Sequence, residues 1–156
     1  YGPGEGGSLK RLAPPDIADA TRPTNSPSGG GGLVATIGDY LRFAQMLLNK
    51  GELDGERLLG RKTVEMMTTN HLPVGVHPFE NPAEGFGLGV SVIMDLGKSP
   101  MLGSVGNFGW GGAANTNFWV DPKEDLLGIL MLQYMPSDTW PVVTDFRNLV
   151  YQALVD

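Results

Sequence analysis

Apolar positions along this chain change period twice, dividing it into a helical part, a sheet and a closing helix. Ile37, Leu41, Ala44, Leu47 and Leu48 recur at spacings of three and four, as one face of an α-helix requires. Thr36 stands as its N-cap with Asp39 in capping-box position, and Gly51 is placed to stop it. A shorter helix is predicted over 61–68, with Val64 and Met67 inward. Pro73, Pro78 and Pro82 then mark 69–84 as loop. From there the pattern is strand-like. Residues 86–94 alternate glycine and apolar side chains, and 104–109 and 115–120 are short runs. Asp121-Pro122-Lys123-Glu124 has the residues of a type I turn. The stretch 126–134 is almost wholly apolar, as a central strand covered on both faces is. The last helix has Asp138 as a cap, Pro141 in its first turn, and a stripe of Val142, Val143, Phe146, Leu149, Val150, Ala153 and Leu154.

This order gives an α+β class: an antiparallel sheet meander flanked by helices. Residues 1–32 read as a connecting segment, interrupted by Pro14, Pro15, Pro23 and Pro27 and ending in the glycine tract 28–32. A loop so long needs a reason, and a packing partner elsewhere in the polypeptide supplies one. The domain proper is expected over 33–156.

Composition narrows the classes. Apolar residues are 41% of the chain and charged residues 18%, a globular balance. The 23 glycines and 12 prolines in 156 residues imply frequent turns and close backbone approaches. A net charge of -6 excludes a basic nucleic-acid surface. Without cysteine there is neither a disulfide framework nor a thiolate metal site. No apolar run approaches the roughly 20 residues of a membrane span.

Several motifs carry no chemistry. Gly2 to Gly7 fits G-x-G-x-x-G but follows no strand and opens no helix. Gly55 to Thr63 approximates a phosphate loop, yet Arg61 breaks the spacing that aims its N–H groups. His71 and His77 sit six apart in a proline-rich loop, too few and too loosely spaced for a metal site. No serine lies in a G-x-S-x-G elbow. The informative stretch is 106–122, where Gly109, Gly111 and Gly112 surround Trp110. Such a strand is either a glycine bulge with a packed tryptophan, or a backbone bared to offer N–H groups to an oxyanion.

Three runs, in this order, resemble one family. They are "GGGLVATIGDYLRFAQMLL" at 30–48, "GFGLGVSV" at 85–92 and "GWGGAANTNFWVDP" at 109–122. Together they resemble the C-terminal half of the group holding class C β-lactamases, D,D-peptidases and family VIII carboxylesterases. The resemblance implies an incomplete β-lactamase/transpeptidase-like fold and an acyl-enzyme hydrolase requiring no cofactor and no metal. In that group a Ser-x-x-Lys motif carries the nucleophile, a tyrosine motif assists proton transfer, and a third motif lines the opposite edge of the site. Here Trp110-Gly111-Gly112 stands in the third position, as substrate-binding residues, and the Ala113 backbone N–H is implied as one oxyanion donor. Trp110 removes the cation that lactamases keep there, which favours neutral esters over lactams.

The departure from the pattern is large. No serine has lysine three residues on (Ser8 is followed by Arg11), and Tyr1, Tyr40, Tyr134 and Tyr151 all lie in other contexts. The nucleophile is therefore expected in a missing N-terminal half or a partner chain carrying Ser-x-x-Lys, and residues 1–156 alone are expected to be inactive. The alternatives are a β-lactamase or D,D-peptidase, a non-catalytic binding module on the same scaffold, and an unrelated glycine-rich α+β domain. An incomplete fold also predicts exposed apolar surface where its other half packs.

Overall fold

The computed structural model describes residues 1–12, 29–30, 33–137 and 139–155. Pro14, Pro15, Pro23, Pro27 and the candidate cap Asp138 lie outside the described residues. The chain opens with two short paired strands, β1 (Gly2–Pro3) and β2 (Leu9–Lys10), rather than with irregular connection alone.

Helix α1 (Ile37–Leu48) begins where its capping box places it. The Asp39 N–H donates to Thr36 Oγ1 at 3.2 Å, and the Thr36 N–H donates to Asp39 Oδ2 at 3.0 Å. It ends as Lys50 and Gly51 take φ of 56° and 98°, with the Gly51 N–H returning to the Met46 carbonyl at 2.8 Å. A two-strand ribbon, β3 (Glu52–Leu53) and β4 (Glu56–Arg57), leads into α2 (Arg61–Met67). Both helices fall within a residue or so of their expected bounds. The inward face of α1 differs: Ala44, Met46 and Leu47 are buried, whereas Ile37 and Leu41 remain exposed.

Five strands form one antiparallel meander in chain order: β5 (Glu84–Phe86), β6 (Ser91–Ile93), β7 (Phe108–Gly111), β8 (Thr116–Asp121) and β9 (Leu126–Met131). The single strand expected over 86–94 is thus a hairpin. Its period-two alternation is real, but Gly89 takes φ of 97° and the Gly87 N–H bonds to the Val90 carbonyl at 2.8 Å. Glycine at positive φ turns the chain where a side chain would have kept it extended. The strand expected over 104–109 begins later, at Phe108. At the β8–β9 turn Asp121 accepts from the Lys123 N–H at 3.1 Å, and Asp125 takes the left-handed conformation at φ 48°.

Helix α3 (Val142–Gln152) closes the chain, with Pro141 at its N-cap position. The sheet lies between α1 and α3, and β8 shows both faces. Phe118 and Val120 join Ala44, Leu47 and Val64 in the core on the α1 side. Trp119 and Asp121 face α3, where the Trp119 ring meets Phe146 edge-on at 5.8 Å. Burying each large apolar side chain contributes about 1.5–3 kcal/mol. Strand β9 was expected in the middle of a sheet. It stands instead at one end of the strand order, half-buried along its whole length, because among the described residues only β8 pairs with it. Leu149 and Trp140 are also exposed, at 64% and 61%. No helix among the described residues is long and apolar enough to cross a membrane.

Gly128 of β9 lies beneath Trp119, where an added Cβ would come within 2.2 Å of the indole. Trp119 is 1% exposed and its ring is held edge-on against Phe146. Gly128→Ala is therefore expected to destabilise the chain by about 1–3 kcal/mol, measured as a lowered urea midpoint with an unchanged m-value.

Candidate functional site

The four residues singled out, Trp110, Gly111, Gly112 and Ala113, come together as the end of β7 and the start of its turn into β8. β7 pairs with β8 in the register Gly109↔Trp119 and Gly111↔Asn117. A Cβ on Gly109 would stand 2.2 Å from the Phe118 carbonyl oxygen. Glycine there lets the two backbones close, and the strand runs on unbroken to the exposed tip.

The tip is tied down from both sides. The Gly112 N–H donates to the Thr116 carbonyl at 2.7 Å, and the Asn115 N–H to the Gly112 carbonyl at 3.0 Å. Asn115 is left-handed, with φ of 61°, and buried. Its Nδ2 donates to the Tyr134 carbonyl at 2.9 Å, while the Tyr134 N–H returns to the Ala114 carbonyl at 3.2 Å. Asn115 thereby pins the tip to the chain beyond β9. Sequence reasoning passed over it, although an asparagine after Gly-Gly-Ala-Ala is suited to a left-handed turn position. Gly111, Gly112 and Ala113 are exposed, and among the described residues no acceptor takes the Ala113 N–H.

Trp110 is 37% exposed. Phe86 meets it edge-on at 5.1 Å, and Phe79 lies 5.6 Å away with the two rings tilted by 35°. These contacts hold the indole against β5 and leave part of it facing a cavity of about 470 Å³. The cavity runs along the α3 side of the sheet, from Phe79, Trp110 and Ala113 to Asn107 and Arg147. The histidines take no part. His71 Nε2 pairs with the Met66 carbonyl at 2.8 Å and His77 Nδ1 with the Glu84 carbonyl at 3.1 Å.

The opposite end of β7 is anchored by a buried polar group. Asn107 Nδ2 donates to the Tyr151 hydroxyl oxygen at 2.6 Å, and the Tyr151 hydroxyl donates to Asp121 Oδ2 at 2.7 Å. Arg147, on the inward side of α3, donates through Nε to the Leu102 carbonyl at 3.2 Å and lies 5.5 Å from the Trp119 ring. Burial pushes Asp121 upward, but hydrogen bonds from Tyr151, Ser104, the Lys123 backbone and Asn107 together hold it below the usual carboxylate range. Burial, and then the bond to Asp121, push the Tyr151 hydroxyl well up. Burial lowers Arg147, opposed by Tyr151, Glu84 and Asp121 nearby. Arg147 was hidden in the sequence within an apolar stripe. It falls four residues after Val143 and three before Val150, so it shares their side of α3.

Comparison with known proteins fits this geometry. The family model Beta-lactamase matches residues 2–152. The chain belongs to the β-lactamase family. Protein Rv1367c of Mycobacterium tuberculosis is 37% identical over 135 residues, covering 81% of this chain and 33% of that protein. Among solved structures, EstCE1, described as a hydrolase with promiscuous acyltransferase activity, superposes with a TM-score of 0.70 at 25% identity, covering 80% of this chain and 32% of that one. Simvastatin synthase (LovD) of Aspergillus terreus shares the fold at a TM-score of 0.68 and 23% identity, covering 84% of this chain and 37% of that one. A β-lactamase (Mb2281c) of Mycobacterium bovis does so at 0.56 and 23%, covering 75% and 44%. The chain thus spans about a third of the length of the curated relatives it matches.

The anchor gives a pH dependence with a definite sign. The folded-state value of Asp121 lies below its unfolded one, so the stabilisation is present above about pH 4 and is lost as pH falls through the folded value. Tyr151→Phe removes one donor to the carboxylate. It is expected to cost about 1–3 kcal/mol at neutral pH and to move the acid-unfolding limb to higher pH, measured by urea melts across an acid pH series.

Proposed function

We propose that this chain is the C-terminal part of a serine hydrolase that works through an acyl-enzyme, with neutral carboxylic esters as substrates. The observation that carries this reading is the tip of β7, where a partly exposed indole lines the same cavity as Ala113, whose N–H has no partner among the described residues. The membership of the β-lactamase family and the likeness to EstCE1, a hydrolase with promiscuous acyltransferase activity, support acyl transfer.

In this scheme a serine from a Ser-x-x-Lys segment elsewhere in the polypeptide attacks the ester carbonyl. The Ala113 N–H and the serine's own N–H hold the developing oxyanion. Each such donor is worth roughly 3–4 kcal/mol of barrier. The alcohol departs, and water then releases the acid from the acyl-serine. Gly111 and Gly112 make room for the Asn117 and Thr116 side chains, which a Cβ would meet at 2.9 and 2.5 Å, and Trp110 contributes an apolar wall that carries no cation of its own. The apolar strand β9 with one neighbour, and the exposed Ile37, Leu41, Leu149 and Trp140, support a chain that packs against further polypeptide. The 156 residues alone are expected to leave p-nitrophenyl butyrate intact. Joined to the segment bearing Ser-x-x-Lys, they hydrolyse it, and replacing that serine with alanine abolishes turnover. Turnover that survives the replacement overturns the mechanism. A preference for nitrocefin over the ester transfers the substrate reading to lactams. Ala113→Pro, which deletes the N–H, is expected to lower kcat by about 10²–10³ in the joined enzyme, with circular dichroism unchanged.

A further inference from the structure

We propose that Phe79 is a specificity-determining residue, forming with Trp110 an apolar wall that binds a flat aromatic group of the ester. This rests on the esterase reading above and names the substrate class within it.

Phe79 belongs to the single 3₁₀ turn Pro78–Glu80. Its φ and ψ are 50° and 30°, and Glu80 follows at φ 59°. Two consecutive left-handed residues bearing a Cβ are rare, because the Cβ crowds the backbone carbonyl. The surrounding bonds impose this shape. The Asn81 N–H donates to the Pro78 carbonyl at 2.9 Å and the Ala83 N–H to Asn81 Oδ1 at 3.0 Å. Core burial does not offset the strain, since Phe79 stays 82% exposed. What the turn achieves is placement: it carries the ring to within 5.6 Å of Trp110. Backbone strain held in place without burial is a feature of functional positions.

The geometry also says how a ligand ring sits. At 5.6 Å, with a tilt of 35°, no third ring fits between the two. They form one bent aromatic wall on the cavity that also contains Gly111 and Ala113. Aromatic rings pack on such a wall offset or edge-on. Glu84 and Arg147 both lie on this cavity and offset one another's charge, so the apolar wall rather than a charge selects the ligand. The fitting substrate is an ester with an aryl ring.

The test uses the joined enzyme, with 2-naphthyl acetate and ethyl acetate as probes. Because the Phe79 ring is exposed, Phe79→Ala is expected to fold normally by circular dichroism. The kcat/KM ratio of naphthyl to ethyl ester should fall about tenfold, mainly through KM, as expected for one lost aromatic contact plus its buried area. Phe79→Tyr should restore the ratio. An unchanged ratio overturns the wall while leaving the esterase reading intact. If neither ester is turned over, the esterase reading fails. Binding of 2-naphthyl acetate, followed by shifts of the Trp110 indole N–H resonance, then decides the wall on its own. Binding that Phe79→Ala weakens supports it, and no binding, or binding that the variant leaves unchanged, overturns it.

Discussion

The pairing of β7 with β8 is the constraint on which the rest of the structure depends. Gly109 lies opposite Trp119, and no Cβ fits between its backbone and the Phe118 carbonyl. Close approach at that point sets the register. The register then alternates Phe118 and Val120 toward α1 and Trp119 and Asp121 toward α3. A slip of one residue would exchange these faces, sending a carboxylate into the apolar core and the core residues into the polar cluster. The same pairing brings Trp110, Gly111, Gly112 and Ala113 out to one exposed tip.

The tip keeps its shape through two anchors at opposite ends of the strand. Asn107, Tyr151, Asp121 and Arg147 hold one end to α3 through part-buried bonds, those made by Asp121 and Arg147 being charge-assisted. Asn115 holds the other to the segment after β9. A donor for an oxyanion is effective only where its direction is fixed before the charge develops. Under the proposed function, the pairing along β7 and the bonds of the turn after it, rather than the chemistry of any side chain, direct the Ala113 N–H. Trp110 is treated likewise, with Phe86 and Phe79 restricting the indole from two directions.

Surface left apolar is as informative as surface buried. β9 has the composition of a doubly covered strand, yet it has one neighbour among the described residues. Ile37 and Leu41 continue the helical stripe of α1 but find no cover, and Leu149 does the same on α3. In each case the stripe read along the sequence finds no cover among the described residues.

The sequence by itself determined the α+β class, the capping box of Thr36 and Asp39, the stop at Gly51 and the turn after Asp121. All of these are set by neighbours within a few residues along the chain, where local torsions and short hydrogen bonds dominate. Tertiary structure alone decided the rest. It broke the expected strand 86–94 into a hairpin, because glycine tolerates extended and turning backbone alike and only packing selects between them. It turned Arg147 inward, because a guanidinium in an apolar stripe is admissible only where a distant carbonyl and aromatic rings receive it. It brought Phe79 to Trp110, 31 positions further along the chain. Contacts between segments far apart along the chain leave no period in the sequence, since each segment satisfies its own local preferences whether or not the other is there.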